Sequence, residues 1–232
     1  MKILFVANWN LYCDYDKTLE LTKFLSSIES EYEMIVAPAT PFLSDVAKLW
    51  PGHLAAQYFG NFTEGAHTGM TSLLDQKAVG ASYVIIGHSE SRAAGETEED
   101  IRTKIALARE YGMTPIFCVG ELRESHMNGE SKKVLGAQLE SLGENFSNVI
   151  IAYEPVWAIS AGGIGESAGS GDIIEMHTHI KKITGDARVI YGGSVNSKNF
   201  EEIISLHSVD GVLVGFASTS IPELKNMLVT TP

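Results

Sequence analysis

The sequence predicts an α/β fold, a closed (β/α)8 barrel, from three observations. Eight short apolar runs rich in β-branched residues recur along the chain. Near-continuous apolar runs of this length suit parallel strands buried on both faces. Stretches of helical period alternate with them. The 232 residues allow roughly 29 per strand–helix unit, slightly below the ~250 residues usual for eight units. A doubly wound open sheet is the alternative, because periodicity carries no information about closure.

The runs are Lys2–Ala7, Glu33–Ala37, His53–Ala56, Tyr83–Ile86, Thr114–Val119, Asn148–Tyr153, Ala187–Tyr191 and Gly211–Val214. After the first, Asp16–Ser27 sets Leu19, Leu21, Phe24 and Leu25 on one side of a helix. Leu73–Val79 follows the third. Thr97–Tyr111 follows the fourth, and Thr97 ahead of Glu98, Glu99 and Asp100 is a helix-start signal. Lys132–Leu142, Gly171–Ile183, Ser197–Leu206 and Pro222–Leu228 complete the helical stretches. The Gly/Ser-rich segment Ser160–Gly171 sits between a strand and a helix, as a mobile loop would. No linker separates two cores, so residues 1–232 are expected to form one domain.

Composition narrows the function classes. Seventeen basic against 29 acidic residues give a net charge of −12. With no basic cluster, nucleic acid and anionic membrane are not expected as partners. No apolar run approaches the ~18 residues of a membrane span, and Ile3–Ala7 is too short for a signal peptide. Cys13 and Cys118 make neither a disulfide framework nor a zinc quartet. The reducing cytoplasm is the simplest compartment.

In a βα protein the functional residues gather just after the carboxyl ends of the strands. Those positions hold Asn8 to Asn10, Gln57 and Tyr58, Gly87 to Glu90, Gly120 and Glu121, Glu154 to Trp157, Gly192 to Ser194, and Gly215 to Ser218. Glu154, directly after an apolar run and before Pro155, becomes a usable base if partly buried. His88 offers a hydrogen-bond donor or a proton shuttle. Gly192–Gly193–Ser194 and the turn at Gly215 offer backbone N–H groups to an anion. A base, an electrophile and an anion cradle together point to proton transfer on a small phosphorylated substrate. Taken singly, each has a structural reading: a packed histidine, a strand-end carboxylate, a tight glycine turn.

Six ordered motifs then resemble one family, triosephosphate isomerase. They are Asn8–Trp9; Gly87–His88–Ser89–Glu90 with Arg92 and Gly95–Glu96–Thr97; Cys118–Val119–Gly120–Glu121; Ala152 through Ile159; Tyr191–Gly192–Gly193–Ser194–Val195; and Asp210–Gly211 through Gly215. The resemblance implies dihydroxyacetone phosphate and glyceraldehyde 3-phosphate as substrates. It implies Glu154 as base and neutral His88 as electrophile, a pairing that is the established pattern of this family. Asn8 would hydrogen-bond the substrate. Ser89, Glu90, Cys118, Gly192 and Gly193 would support the site. Asn10, Ser160, Ser194, Gly215 and Phe216 would meet the substrate's polar end. The loop from Pro155 to about Ile164 would close as a lid that excludes water. No metal or organic cofactor is implied. Gly65–Ala66–His67–Thr68–Gly69–Met70 matches the loop that docks into a partner subunit, implying a homodimer, with Met70 and Leu11 altering the expected contacts.

The chain departs from the family pattern at several points. Asn10 stands where the family has a lysine, so one positive charge is missing. The lid tip reads Ser160–Ala161–Gly162–Gly163 instead of Gly-Thr-Gly-Lys. Phe216 replaces the second glycine of the last phosphate loop, and is strained if that position needs a positive φ. Ser91 stands where a second arginine is frequent.

The departure at Asn10 motivates a second reading, an impaired barrel that binds a phosphorylated ligand or a protein. A third, a dinucleotide enzyme, rests on Gly163-Ile-Gly165-Glu-Ser-Ala168 followed by Asp186, a pattern lying well past the strand. His177 and His179, at i,i+2 on a helix, are expected on the exposed surface instead of at a metal. Cys118 is expected to be a small buried apolar residue.

Overall fold

The computed structural model describes residues 2–143, 145–159, 167–185 and 187–229. Eight parallel strands close into a barrel in sequence order: β1 (Leu4–Asn8), β2 (Glu33–Ala37), β3 (His53–Ala56), β4 (Tyr83–Ile86), β5 (Thr114–Val119), β6 (Ile150–Tyr153), β7 (Arg188–Tyr191) and β8 (Gly211–Val214). The ring is sealed where Leu4 to Ala7 of β1 pair with Gly211 to Val214 of β8. The open-sheet alternative is thereby excluded.

Alternation along each strand explains the two apolar layers. Leu4 and Val6, Ile35 and Ala37, Ile116 and Cys118, and Ile150 and Ala152 fill the barrel interior. Phe5, Val36, Phe117 and Ile151 face outward and pack beneath the helices. Phe5 meets Phe200 edge-to-face, with ring centroids 5.9 Å apart. Both faces of the strands are thus buried, which is why the runs read as continuous apolar segments.

The helices among the described residues are α1 (Tyr15–Ser27), α2 (Leu43–Leu49), α3 (Leu73–Ala78), α4 (Ser89–Ala93), α5 (Glu98–Glu110), α6 (Arg123–Met127), α7 (Ser131–Leu139), α8 (Ser170–Thr184), α9 (Phe200–Ser205) and α10 (Ile221–Leu228). Thr97 caps α5 in a reciprocal box with Asp100. Asp14 caps α1 through the Lys17 N–H.

Several boundaries differ from the sequence reading, for local reasons. Asn8 belongs to β1. Asn148 has φ 51°, outside the strand region, so β6 begins later than expected. The stretch Lys132–Leu142 divides into α7 and a 3-10 turn at Glu140–Leu142 that ends at Gly143, φ 65°. Residues 196–199 form a side-chain-bonded turn, delaying α9 to Phe200. The helices α2, α4 and α6, of seven, five and five residues, are additions to the sequence reading.

Candidate active site

The alternation that fills the barrel also aims the chemistry. Asn8 follows Leu4 and Val6 in the inward set, and Glu154 follows Ile150 and Ala152. Each therefore caps the interior at the carboxyl end of its strand. Both are 2% exposed. His88 arrives differently. Gly87 has φ 72°, a conformation that favours glycine, and it turns the chain so that His88 becomes the N-cap of α4.

These residues line one cavity of about 800 Å³, together with Asn10, Ser194, Gly215 and Phe216. His88 Nδ1 accepts the Glu90 N–H at 3.4 Å, which leaves the proton of a neutral ring on Nε2. That nitrogen lies 3.7 Å from Glu154 Oε1. Glu90 Oε2 is 3.9 Å from Nδ1 on the other side.

Neither carboxylate oxygen of Glu154 has a hydrogen-bond partner of ordinary geometry among the described residues. Burial pushes its pKa above the usual carboxylate range. His88, the Cys118 thiol and the Ser89 N–H oppose that shift only in part. Cys118 is itself buried, and burial with the adjacent Glu154 charge pushes its thiol well up. It is an inert wall beside the Glu154 carboxylate, in keeping with the small apolar role expected of it.

Glycine is required around this carboxylate. A β-carbon at Gly192 would stand 2.6 Å from Glu154 Cγ, and one at Gly120 would stand 1.8 Å from the Glu154 carbonyl oxygen. Glu121, 0% exposed, accepts the Trp157 indole N–H at 2.8 Å and the Tyr153 hydroxyl at 3.2 Å. It fixes the segment on either side of Glu154. The sequence marked Glu121 by its place after β5 without giving it a role.

The positions expected to face an anion are unequal. The Gly192 N–H is taken by the Tyr153 carbonyl at 2.8 Å. The Ser194 N–H and hydroxyl both go to the Ala158 carbonyl, at 3.0 and 2.8 Å. The N–H groups of Gly193 and Gly215 have no acceptor among the described residues. Phe216 opens the 3-10 turn Phe216–Thr219, so its N–H has no partner within that turn.

Phe216 lacks a positive φ, so the expected strain is absent. Its ring, 45% exposed, packs edge-to-face on Tyr12 at 5.3 Å and lines the cavity. Asn10 does have a positive φ, 45°. Asparagine is among the non-glycine residues that best tolerate that region. Its carbonyl accepts from Gln57 Nε2 at 3.4 Å.

Some expected residues fall elsewhere. Ser160, the lid tip and the glycines of the dinucleotide pattern lie outside the described residues, as does Asp186. The surface placement expected of His177 is overturned: it is 0% exposed, its Nδ1 is 3.2 Å from the Ser208 carbonyl oxygen, and burial lowers its pKa to about 4. His177 shares the buried stripe of α8 with Ile173 and Ile180. Tyr12, Lys198 and Glu223 line the cavity as well, a placement the sequence reading did not include.

The sequence compares along nearly its whole length with one family. Residues 3–230 match the family described as triosephosphate isomerase. A triosephosphate isomerase of Mesomycoplasma hyopneumoniae (strain 7448) is 38% identical over 100% of both chains. One of Dictyoglomus thermophilum is 39% identical over 97% of this chain and 98% of its own. One of Bacteroides fragilis is 34% identical over 98% of each. With a closed eight-stranded barrel and a strand-end glutamate facing a histidine, the chain belongs to the triosephosphate isomerase family, a family of isomerases.

Proposed function

We propose that this chain interconverts dihydroxyacetone phosphate and D-glyceraldehyde 3-phosphate through an enediolate, in glycolysis and gluconeogenesis. The observation that carries the reading is the approach of His88 Nε2 to 3.7 Å from a buried, unpaired Glu154 carboxylate within one cavity. Glu154 removes a proton from the carbon beside the carbonyl and returns it to the neighbouring carbon. His88 donates from Nε2 to the oxygen on which charge develops and takes up the proton of the neighbouring hydroxyl, so that one oxygen gains the proton the other loses and the carbonyl changes carbon. The Asn8 side chain hydrogen-bonds the substrate at the end of β1. Ser89, Glu90 and Cys118 support the pair. Gly193, Gly215 and Phe216 offer N–H groups to the phosphate, as does Ser194 once released from Ala158. No cofactor is needed for this chemistry.

Turnover of glyceraldehyde 3-phosphate by the purified chain tests the reading against Glu154→Gln. Removing a general base costs about 10²–10⁴-fold, and a loss in that range is expected. Equal rates in the two proteins overturn it.

Asn10 favours one second reading, a barrel that binds a phosphorylated ligand with impaired turnover. Its side chain brings no positive charge to the cavity. A large rise in turnover on Asn10→Lys favours that reading; an unchanged rate shows that the charge is supplied elsewhere.

The same proposal includes a cytoplasmic homodimer docked through the loop around Thr68. Leu11, Tyr58 and Met70 are exposed large apolar residues near that loop and the first one, Leu11 at 88%, and such a surface suits a second copy. Cys13 and Cys118 are both free thiols, as suits a reducing compartment. Sedimentation of Thr68→Arg against the unaltered chain tests the docking, with a shift to monomer expected.

A further inference from the structure

The cavity is acidic for a site that receives a phosphorylated substrate. Glu90, Glu154 and Glu223 line it, and Asn10 adds no charge. Among its described lining residues there is one lysine or arginine side chain, Lys198. A dianion placed among carboxylates needs a cation nearby, and a net charge of −12 gives no help from long range.

The loop that carries Lys198 is tied down without using its ammonium group. The Ser197 N–H donates to Glu223 Oε2 at 2.8 Å. The Lys198 N–H donates to Asn196 Oδ1 at 3.0 Å, and the Asn196 N–H to Asn199 Oδ1 at 2.9 Å. Asn199 Nδ2 returns to the Ser194 carbonyl at 2.8 Å. The main chain from Ser194 to Asn199 is therefore held in one geometry, directly after the Gly192–Gly193 turn. Among the described residues no carboxylate lies within ion-pair distance of the Lys198 Nζ. The side chains of Asn196, Asn199 and Glu223 do the holding, and Lys198, a residue of the cavity lining, has no ion-pair partner among the described residues.

We propose that Lys198 is the cation that binds the substrate's phosphate in this chain, making good from the β7 side the charge that Asn10 does not bring from the β1 side. This rests on the triose phosphate reading for the identity of the substrate, but its ligand chemistry is that of any phosphate monoester. Lys198 acts in binding and not in the proton transfer, so its contribution appears in KM and leaves kcat nearly unchanged.

The test compares Lys198→Met and Lys198→Arg with the unaltered chain in two assays. One is turnover of glyceraldehyde 3-phosphate; the other is calorimetric titration with inorganic phosphate. Because Lys198 is exposed and the loop is held by bonds that do not use its side chain, both variants are expected to fold. Lys198→Met should raise KM about 10-fold with kcat within about 2-fold, and weaken inorganic phosphate by a similar factor. Lys198→Arg should keep most of both affinities. Phosphate affinity in Lys198→Met equal to that of the unaltered chain overturns the proposal whatever the turnover, as does an unaltered chain that binds no phosphate. Lysine-dependent phosphate binding in a chain without turnover overturns the isomerase reading and leaves Lys198 as the phosphate ligand.

Discussion

The α-carbon of Gly192 lies so close to Glu154 that a β-carbon on it would stand 2.6 Å from Glu154 Cγ and 3.1 Å from Oε1. The glycine at the end of β7 thus forms one wall of the pocket that aims the carboxylate. Gly192→Ala must push Glu154 aside, since 2.6 Å is far inside van der Waals contact. A misplacement of about 1 Å costs roughly 10²-fold in rate. Gly192→Ala is expected to lower kcat by about that factor while far-ultraviolet circular dichroism stays unchanged. A kcat equal to that of the unaltered chain would show that the wall does not set the base's position.

Burial of Glu154 makes a prediction about pH with a definite sign. On the proposed reading its carboxylate form is the active one, and its pKa is raised by desolvation. Activity therefore falls as pH drops through a value above the ordinary glutamate pKa of 4.5. The pH profile of kcat/KM for the free enzyme should carry this acidic limb.

The same shift couples to stability. Folding raises the pKa, so the folded chain binds the proton more tightly than the unfolded one. Stability is then lost as pH rises from the unfolded to the folded pKa and stays lost above it. Glu154→Gln removes the ionisation and should melt higher than the unaltered chain at pH 7.5. The gap should close toward pH 4. A lower melting temperature for Glu154→Gln at pH 7.5 would contradict the desolvation account. In the expected outcome Glu154 exchanges stability for activity, as functional sites do.

Beside the site, Lys104 and Glu96 form an ion pair whose side chains are 4% and 6% exposed. Glu96 Oε2 also accepts the Gly87 N–H at 3.1 Å, next to His88. Lys104→Met leaves Glu96 buried and unpaired, which costs about 3–5 kcal/mol. Urea unfolding should show a loss of that size. A loss below about 1 kcal/mol would mean that water reaches Glu96.

Much of this was legible in the strands. Five of the eight runs match the observed bounds, because strands buried on both faces read as near-continuous apolar runs. The positions just after them held Glu154, His88 and Asn8, and barrel closure brings these three together. What stayed hidden depends on packing across the chain. The seven-residue helix α2 buries only Leu43 and Val46, too little to show a helical period. Gly192 reads as a turn glycine until Glu154 is packed against it. Phe216 looks strained by analogy, yet a 3-10 turn and the Tyr12 ring accommodate it. His177 was readable: it lies four residues from Ile173 and three from Ile180, on the apolar stripe, and comparison with His179 alone obscured this. Lys198 gave no signal beyond following the β7 glycines, because only the closed barrel turns its loop into a cavity wall.

The central claim is that Glu154 carries a proton between adjacent carbons of a triose phosphate. The most direct measurement follows deuterium entering dihydroxyacetone phosphate from heavy water by proton nuclear magnetic resonance, for the unaltered chain and for Glu154→Gln. The account predicts exchange at the carbon beside the carbonyl, faster by about 10²–10⁴-fold in the unaltered chain. Exchange at equal rates in both proteins, or none above the uncatalysed rate in the unaltered chain, would contradict it.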